Sequence, residues 1–399
     1  MKNFILLFAA IIALVSCGEK EESRNETTIT AEISTHIEAS SVVDDSVVLK
    51  ASITSDQVDI TNYGFCYFTS PDVDIDNSYV GKSTDKDDSG NFSYTITDIK
   101  TDQDYYIRAY ASYKDQVWYS EEYHLSTELS EYVTTEPVQI RARVGAIGEG
   151  KLLSKRSNYT SWGFCLDTEE NPTVEKMKFE ASKAENAVSE EGDFGVFFDE
   201  LTPLTTYYVR SYVESNDKIH YGNQVSFMTT KGANITYTLN KADDPTADEL
   251  DAYGRIVECV DSAIYYFHRY CNKQKVLTVN YVPSVPTADA SAAGNIRFGE
   301  SRSYMWVGTT MHEFNHTFGS GTSTNGRALY TDGWYTERNA NIVLKVFLED
   351  YTRTIQCDKD WMVHFWPGGI NYASEVESER DLKMNAMLME GMIMDGMTQ

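Results

Sequence analysis

Two stretches of this chain repeat each other, and the period fixes much of what it can fold into. Tyr63-Gly64-Phe65-Cys66 returns 99 residues later as Trp162-Gly163-Phe164-Cys165. Tyr105-Tyr106-Ile107-Arg108-Ala109-Tyr110 returns 102 residues later as Tyr207-Tyr208-Val209-Arg210-Ser211-Tyr212. The segments alternate apolar and polar side chains, the period-2 pattern of a strand with one face buried. A period near 100 residues filled with short alternating runs predicts tandem β-sandwiches. The repeats span about 28–128 and 131–230.

A second pattern lies beyond the repeats. His312-Glu313-Phe314-Asn315-His316 places two imidazoles four residues apart. On a helix such residues share one face, so both can ligate one Zn²⁺ while the Glu serves as general base toward the bound water. The apolar run Met305–Met311 predicts a buried helix, and Gly319 and Gly321 predict its end. An open zinc site needs a third protein ligand, and three positions compete. Thr322 stands where a metzincin would carry His. Glu337 lies at the gluzincin interval, without that group's helix motif. His364 is the third, with Glu375 and Asp332 as further carboxylates.

The rest of the C-terminal part, 231–399, reads as mixed structure. Thr246 and Glu249 form a capping box for a helix running to about Tyr270. Lys275–Tyr281 reads as a strand and Pro283–Gly294 as a loop of small residues. Asn295–Gly299 reads as a short strand, expected to be the edge that would pair with extended substrate. Methionines 384, 387, 389, 392, 394 and 397 are spaced for a packed helix rather than a copper site. The fold class expected is multidomain, with two all-β sandwiches followed by an α+β domain.

Several resemblances extend these readings. Leu201-Thr202-Pro203-Leu204-Thr205-Thr206-Tyr207 resembles the turn and corner tyrosine of fibronectin type III domains. The histidine motif, with Thr317, Gly319, Gly321 and Thr322, and the segment His364-Phe365-Trp366-Pro367-Gly368-Gly369-Ile370-Asn371-Tyr372-Ala373-Ser374-Glu375 together resemble a zincin-type module of secreted bacterial proteins. The likeness implies a zinc metallopeptidase ligated by His312, His316 and His364, with Glu313 catalytic. Gly368 stands where that module is expected to carry an aromatic residue. Tyr372 is a candidate oxyanion stabiliser, a core tyrosine being the competing reading.

The N-terminus suggests an address. Phe4–Val15 is a twelve-residue apolar run after Lys2, the length of a signal sequence rather than a membrane span. Leu14-Val15-Ser16-Cys17 resembles a bacterial lipobox. That implies a signal peptide over 1–16, lipidation of Cys17 and a polar tether over 17–27; an ordinary cleaved signal peptide is the alternative. Lys20-Glu21-Glu22 resembles the export tag of Bacteroidetes surface lipoproteins, so the expected location is the outer membrane, exposed at the cell surface.

Composition agrees with that setting. With 34 Lys plus Arg against 61 Asp plus Glu, the net charge is −27, which disfavours nucleic acid and anionic lipid as partners. Membrane attachment is expected through the lipid only. Of the six cysteines, Cys66 and Cys165 read as buried fillers, and only Cys271 with Cys357 is a feasible disulfide. The expected activity is hydrolysis of a peptide or glycopeptide bond by metal-activated water. The competing reading is a non-catalytic adhesion or glycan-binding lipoprotein. Trp118, Tyr119 and Trp162 would be its stacking residues, although Trp162 reads rather as core, since its counterpart Tyr63 sits in the same strand; the sandwiches otherwise serve as spacers.

Overall fold

The structure is a computed structural model that describes residues 31–37, 46–55, 58–100, 103–127, 131–154, 158–358 and 364–398. The signal segment, Cys17 and the tether lie outside the described residues. Among the described residues, no helix is long and apolar enough to cross a membrane.

The described residues divide into two compact units, one drawn from 31–37, 48–95 and 106–124, the other from 46–47, 96–105 and 125–398. The first repeat has strands β1 (Glu32–Ile37), β2 (Val47–Thr54), β3 (Asn62–Phe68), β4 (Tyr79–Lys82), β5 (Asn91–Ile96), β6 (Asp104–Tyr113), β7 (Gln116–Tyr119) and β8 (Tyr123–Ser126). They form a sheet of order β1-β2-β5 and another of order β4-β3-β6-β7, with β8 also paired to β6. Alternation explains the strands: in β2, Val47, Leu49, Ala51 and Ile53 point inward while Val48 and Lys50 face water.

The second repeat follows the same plan. Its strands are β9 (Val133–Thr135), β10 (Ala146–Leu152), β11 (Tyr159–Asp167), β12 (Met177–Glu180), β13 (Asp193–Phe198), β14 (Thr206–Ser215) and β15 (Lys218–Met228). The sheets run β13-β10-β9 and β12-β11-β14-β15. Both repeats are β-sandwiches built of antiparallel strand pairs. The Tyr207 hydroxyl accepts the Thr202 N–H at 3.0 Å, and the Tyr105 hydroxyl accepts the Lys100 N–H at 3.1 Å. Each tyrosine thus pins the backbone five residues upstream, the corner predicted from 201–207.

The three aromatic residues considered for stacking, Trp118, Tyr119 and Trp162, are only partly exposed. Tyr119 accepts the Ile75 N–H, as Tyr221 accepts the Val174 N–H in the second repeat. Trp162 packs against the second sandwich's core. The five described cysteines are buried free thiols, so Cys271 and Cys357 are not joined. Burial pushes the Cys66 and Cys165 thiols up to about 11, as expected of apolar fillers.

The C-terminal part begins with β16 (Asn234–Asn240), α1 (Ala247–Tyr270), β17 (Gln274–Tyr281), β18 (Ala288–Ala290) and β19 (Asn295–Phe298). Thr246 caps α1, and its capping box with Glu249 is closed in both directions. The sheet order is β16-β17-β19-β18, parallel except for antiparallel β18. This corrects the sequence reading. Residues 295–298 lie inside the sheet, and the edge beside them is β18, within the segment read as a loop. Register is held by a cross-strand pair, Arg297 donating to both Asp289 oxygens at 2.7 and 2.5 Å.

The chain continues through α2 (Val307–Phe318), α3 (Thr324–Ala328), β20 (Tyr330–Thr331), β21 (Trp334–Tyr335), α4 (Arg338–Leu348), β22 (Gln356–Cys357), β23 (Phe365–Trp366) and α5 (Glu379–Met394). A small antiparallel sheet, β20-β21-β22-β23, brings the chain back toward α2. Met384, Met387, Met389 and Met392 are buried on α5, as their spacing predicts, whereas Met394 at its end is exposed and Met397 is buried beyond the helix.

The second sandwich and this α+β part share a core. Ile140, Ala142, Val144, Ile147 and Phe197 of the sandwich join the cluster built on α1, α2, α4 and α5. Phe197 packs on Phe347 with ring centroids 4.5 Å apart. Polar contacts close the joint: Lys383 to Asp199 at 2.9 Å, and the Tyr351 N–H to the Asn186 carbonyl at 2.7 Å. Such burial, roughly 1.5–3 kcal/mol per large apolar side chain, is a property of a domain core rather than of a flexible joint.

Candidate metal centre

The site is built on the two faces of α2. Met311, Phe314 and Phe318 are fully buried, and the last two pack on Phe267 of α1 with centroids 5.6 and 5.1 Å apart. That anchoring turns Thr309, His312, Glu313 and His316, spaced three, four and seven, into a groove. The helix stops at Gly319, whose φ of +120° is open to glycine and strained for other residues. The turn that follows presents the Ser320 carbonyl to the helix end.

Three histidines converge. His312, His316 and His364 offer ring nitrogens that all lie within 4.8 Å of one another. The His312 and His316 Nε2 atoms are 3.1 Å apart. Each outer nitrogen meets a backbone carbonyl: His312 Nδ1 lies 3.0 Å from the Gly369 oxygen, and His316 Nδ1 lies 2.9 Å from the Ser320 oxygen. Donation from Nδ1 leaves both Nε2 lone pairs for a ligand, the arrangement usual for metal-bound histidine. Burial holds His312 down to about 3, the neighbouring His316 adding to it, and burial lowers His316 as well. Both rings are therefore neutral, as ligation requires.

His364 enters from the other end of the chain. It precedes β23, and its carbonyl accepts the Asp358 N–H at 3.2 Å while its own N–H donates to Asp358 Oδ2 at 3.4 Å. Its ring stacks at 5.3 Å from that of His312. The other sequence candidates are elsewhere. Glu337 stands at the N-terminus of α4 with its Oε1 near Thr336, and Thr322 donates its hydroxyl to the His316 carbonyl at 2.5 Å. Neither they nor Glu375 nor Asp332 belongs to the cluster. His268 holds the Ala233 carbonyl at 2.7 Å, a structural role.

Glu313 lines the same groove as the three histidines and Asp289 of β18. It is 4 % exposed and its Oε2 has no hydrogen-bond partner. Burial pushes its carboxyl up to about 8, with Asp289 adding to the rise. A buried carboxylate oxygen left unpaired is costly unless a ligand meets it. Three ring nitrogens and a buried carboxyl oxygen without a partner, lining one groove, are a donor set that suits a zinc ion and a water.

The groove, about 690 Å³, runs along Ala288–Ala290 of β18 and past Trp306 to His364 and Tyr372. Tyr372 is 74 % exposed on its rim, not a core residue. Three contributors were missed from sequence: β18 and the carbonyls of Ser320 and Gly369. The Gly319 stop hinted at Ser320; nothing local signals the other two. Gly368 also has a local reason to be glycine. Its φ is +87°, and a Cβ there would come 2.5 Å from Leu388 Cδ1.

No protein family matches the sequence, and no curated protein matches it. Among solved structures, the chain is similar to the chicken interferon gamma receptor alpha chain at 11% identity, covering 51% of this chain and all of that one, with a TM-score of 0.29. It is similar to a two-domain fibronectin type III segment of chicken tenascin at 12% identity, covering 50% of this chain and 98% of that one, with a TM-score of 0.27. The sensor domain of the anti-sigma factor RsgI4 of Pseudobacteroides cellulosolvens matches 25% of the chain and 92% of its own length at 15% identity, with a TM-score of 0.20.

Proposed function

We propose that the chain is a zinc-dependent peptide hydrolase of zincin type, held on the outer membrane surface through a lipidated Cys17. The observation that carries this reading is the convergence of His364 on His312 and His316 beside the buried Glu313. The three imidazoles would hold the ion. When bound, zinc supplies Lewis acidity toward water and a carbonyl oxygen.

The chain's own residues supply the rest. Glu313 takes a proton from the attacking water and delivers it to the departing amine. The open edge of β18 orients an extended peptide by strand pairing, and Asp289 is held in register by Arg297. The Ser320 and Gly369 carbonyls fix the tautomers of the two helix histidines. Tyr372, at the rim, is the candidate donor toward the developing oxyanion.

The test is Glu313→Gln in the full chain. Zinc content by elemental analysis should stay at that of the parent. Cleavage of a proteome-derived peptide mixture should fall by about a thousandfold or more. Undiminished cleavage in that variant removes Glu313 from the mechanism, and absence of zinc from the parent removes the hydrolase.

A further inference from the structure

A second cavity, about 920 Å³, adjoins the groove. The two share His312, His364, Asn371 and Tyr372. Strand β18 lines only the first, and Trp366, Pro367 and Gly368 line only the second. A peptide crossing the histidine cluster from β18 therefore has this cavity to receive the residues past the scissile bond.

We infer that this cavity is a subsite for a cationic side chain, lysine or arginine, of the peptide whose hydrolysis is proposed above, and the inference rests on that reading. Leu348, Met384 and Pro367 supply apolar surface. Trp366 and Tyr372 are 40 % and 74 % exposed, aromatic faces open to a ligand. Glu375 has one oxygen committed to the Tyr372 N–H at 3.1 Å, and its Oε2 is buried with no hydrogen-bond partner. Glu377 adds an exposed carboxylate. Asp381 also lines the cavity, with its Oδ2 accepting the Glu377 and Ser378 N–H groups at the start of α5.

No Lys or Arg among the described residues lines the cavity. An alkyl stem ending in a positive head matches each of these features. The stem covers apolar surface, and the head meets an aromatic face and the exposed Glu377 carboxylate, with the charge of Glu375 close by. A neutral apolar side chain leaves the carboxylates unmatched, and an acidic one adds repulsion.

The test separates binding from turnover. Tetralysine, tetraglutamate and chitotriose are titrated by calorimetry, at about 0.15 M salt to screen diffuse attraction, into the full chain carrying Glu313→Gln. The same titrations use that chain with Glu375→Gln and Glu377→Gln added, and with Glu377→Gln alone, an exposed change that leaves the fold intact. Tetralysine should bind best and weaken by about tenfold in the triple variant, with a smaller loss for Glu377→Gln. Equal binding of tetralysine to all three proteins would assign it to the net charge of −27 and overturn the subsite. Chitotriose binding in place of tetralysine would make it a glycan site and overturn it too. Digestion of a peptide mixture by the parent gives the second arm. Cleavage without a Lys or Arg preference overturns the subsite and leaves the hydrolase. Absent cleavage with tetralysine binding intact removes the hydrolase and leaves the cation site.

Discussion

Arg338, at the start of α4, donates two hydrogen bonds to Glu149 of the second sandwich, at 3.3 and 2.5 Å. The carboxylate is nearly buried and the guanidinium is over half exposed. Removing the cation would strand a buried charge. Arg338→Ala should therefore destabilise the fold by about 2 kcal/mol, less than a fully buried pair would lose because water reaches the arginine. Urea denaturation checks it.

The shared core makes a stronger prediction. Residues 231–399 without the sandwich would expose the cluster that receives Ile140, Val144, Ile147 and Phe197. That fragment should aggregate or lack a cooperative transition, whereas 131–399 should unfold in one step. Two separate calorimetric transitions in the longer fragment would show the joint to be weak.

Metal content should discriminate among the ligand candidates. His364→Ala should weaken zinc affinity by about a hundredfold or more, since loss of an outer partner alone costs 10–100-fold. Glu337→Ala should leave affinity unchanged. A competition titration with a zinc chelator reads both, and the reverse ranking would return the third ligand to the carboxylates.

Glu390 gives a pH signature away from the histidines. It is buried on α5, accepts the Asn272 N–H at 2.8 Å and the Asn272 side-chain amide at 2.7 Å, and burial holds its carboxyl above the usual range. A carboxyl with a raised folded-state pKa is fully compatible with the fold below its unfolded value, near 4.5. Its contribution is lost as pH rises from there through the folded value. The stability of the parent relative to Glu390→Gln should therefore shrink as pH rises through that window. A difference in melting temperature that grows with pH would contradict this.

At Gly368, alanine would carry a Cβ into Leu388 and force a non-glycine residue to a φ of +87°. The expected loss is about 1–3 kcal/mol, read as a lower melting temperature with metal affinity retained.

What the sequence disclosed follows the range of each interaction. The α1 cap is written in Thr246 and Glu249, three residues apart. The α2 face is written in residues 309–316. The sandwiches are visible because their strands alternate and because the pattern occurs twice. By contrast, β18 is three small residues without a period, and it becomes a strand only through β19. Arg338 and Glu149 are 189 positions apart, so no window over the sequence holds both. The convergence of His364 is of the same kind, and a family likeness rather than spacing pointed to it.

The open side of β18 has a consequence for the molecule in a crowded environment. A strand edge free to pair with a substrate is equally free to pair with a neighbour and seed a growing ribbon. This edge is only Ala288–Ala290, half-buried, with a charged residue, Asp289, at its centre; the sheet's other edge is β16. Three residues can register one short peptide segment but give a second sheet too little length to hold. On the proposed reading, the same short length that would suit a brief peptide guest gives this edge little grip on a second sheet.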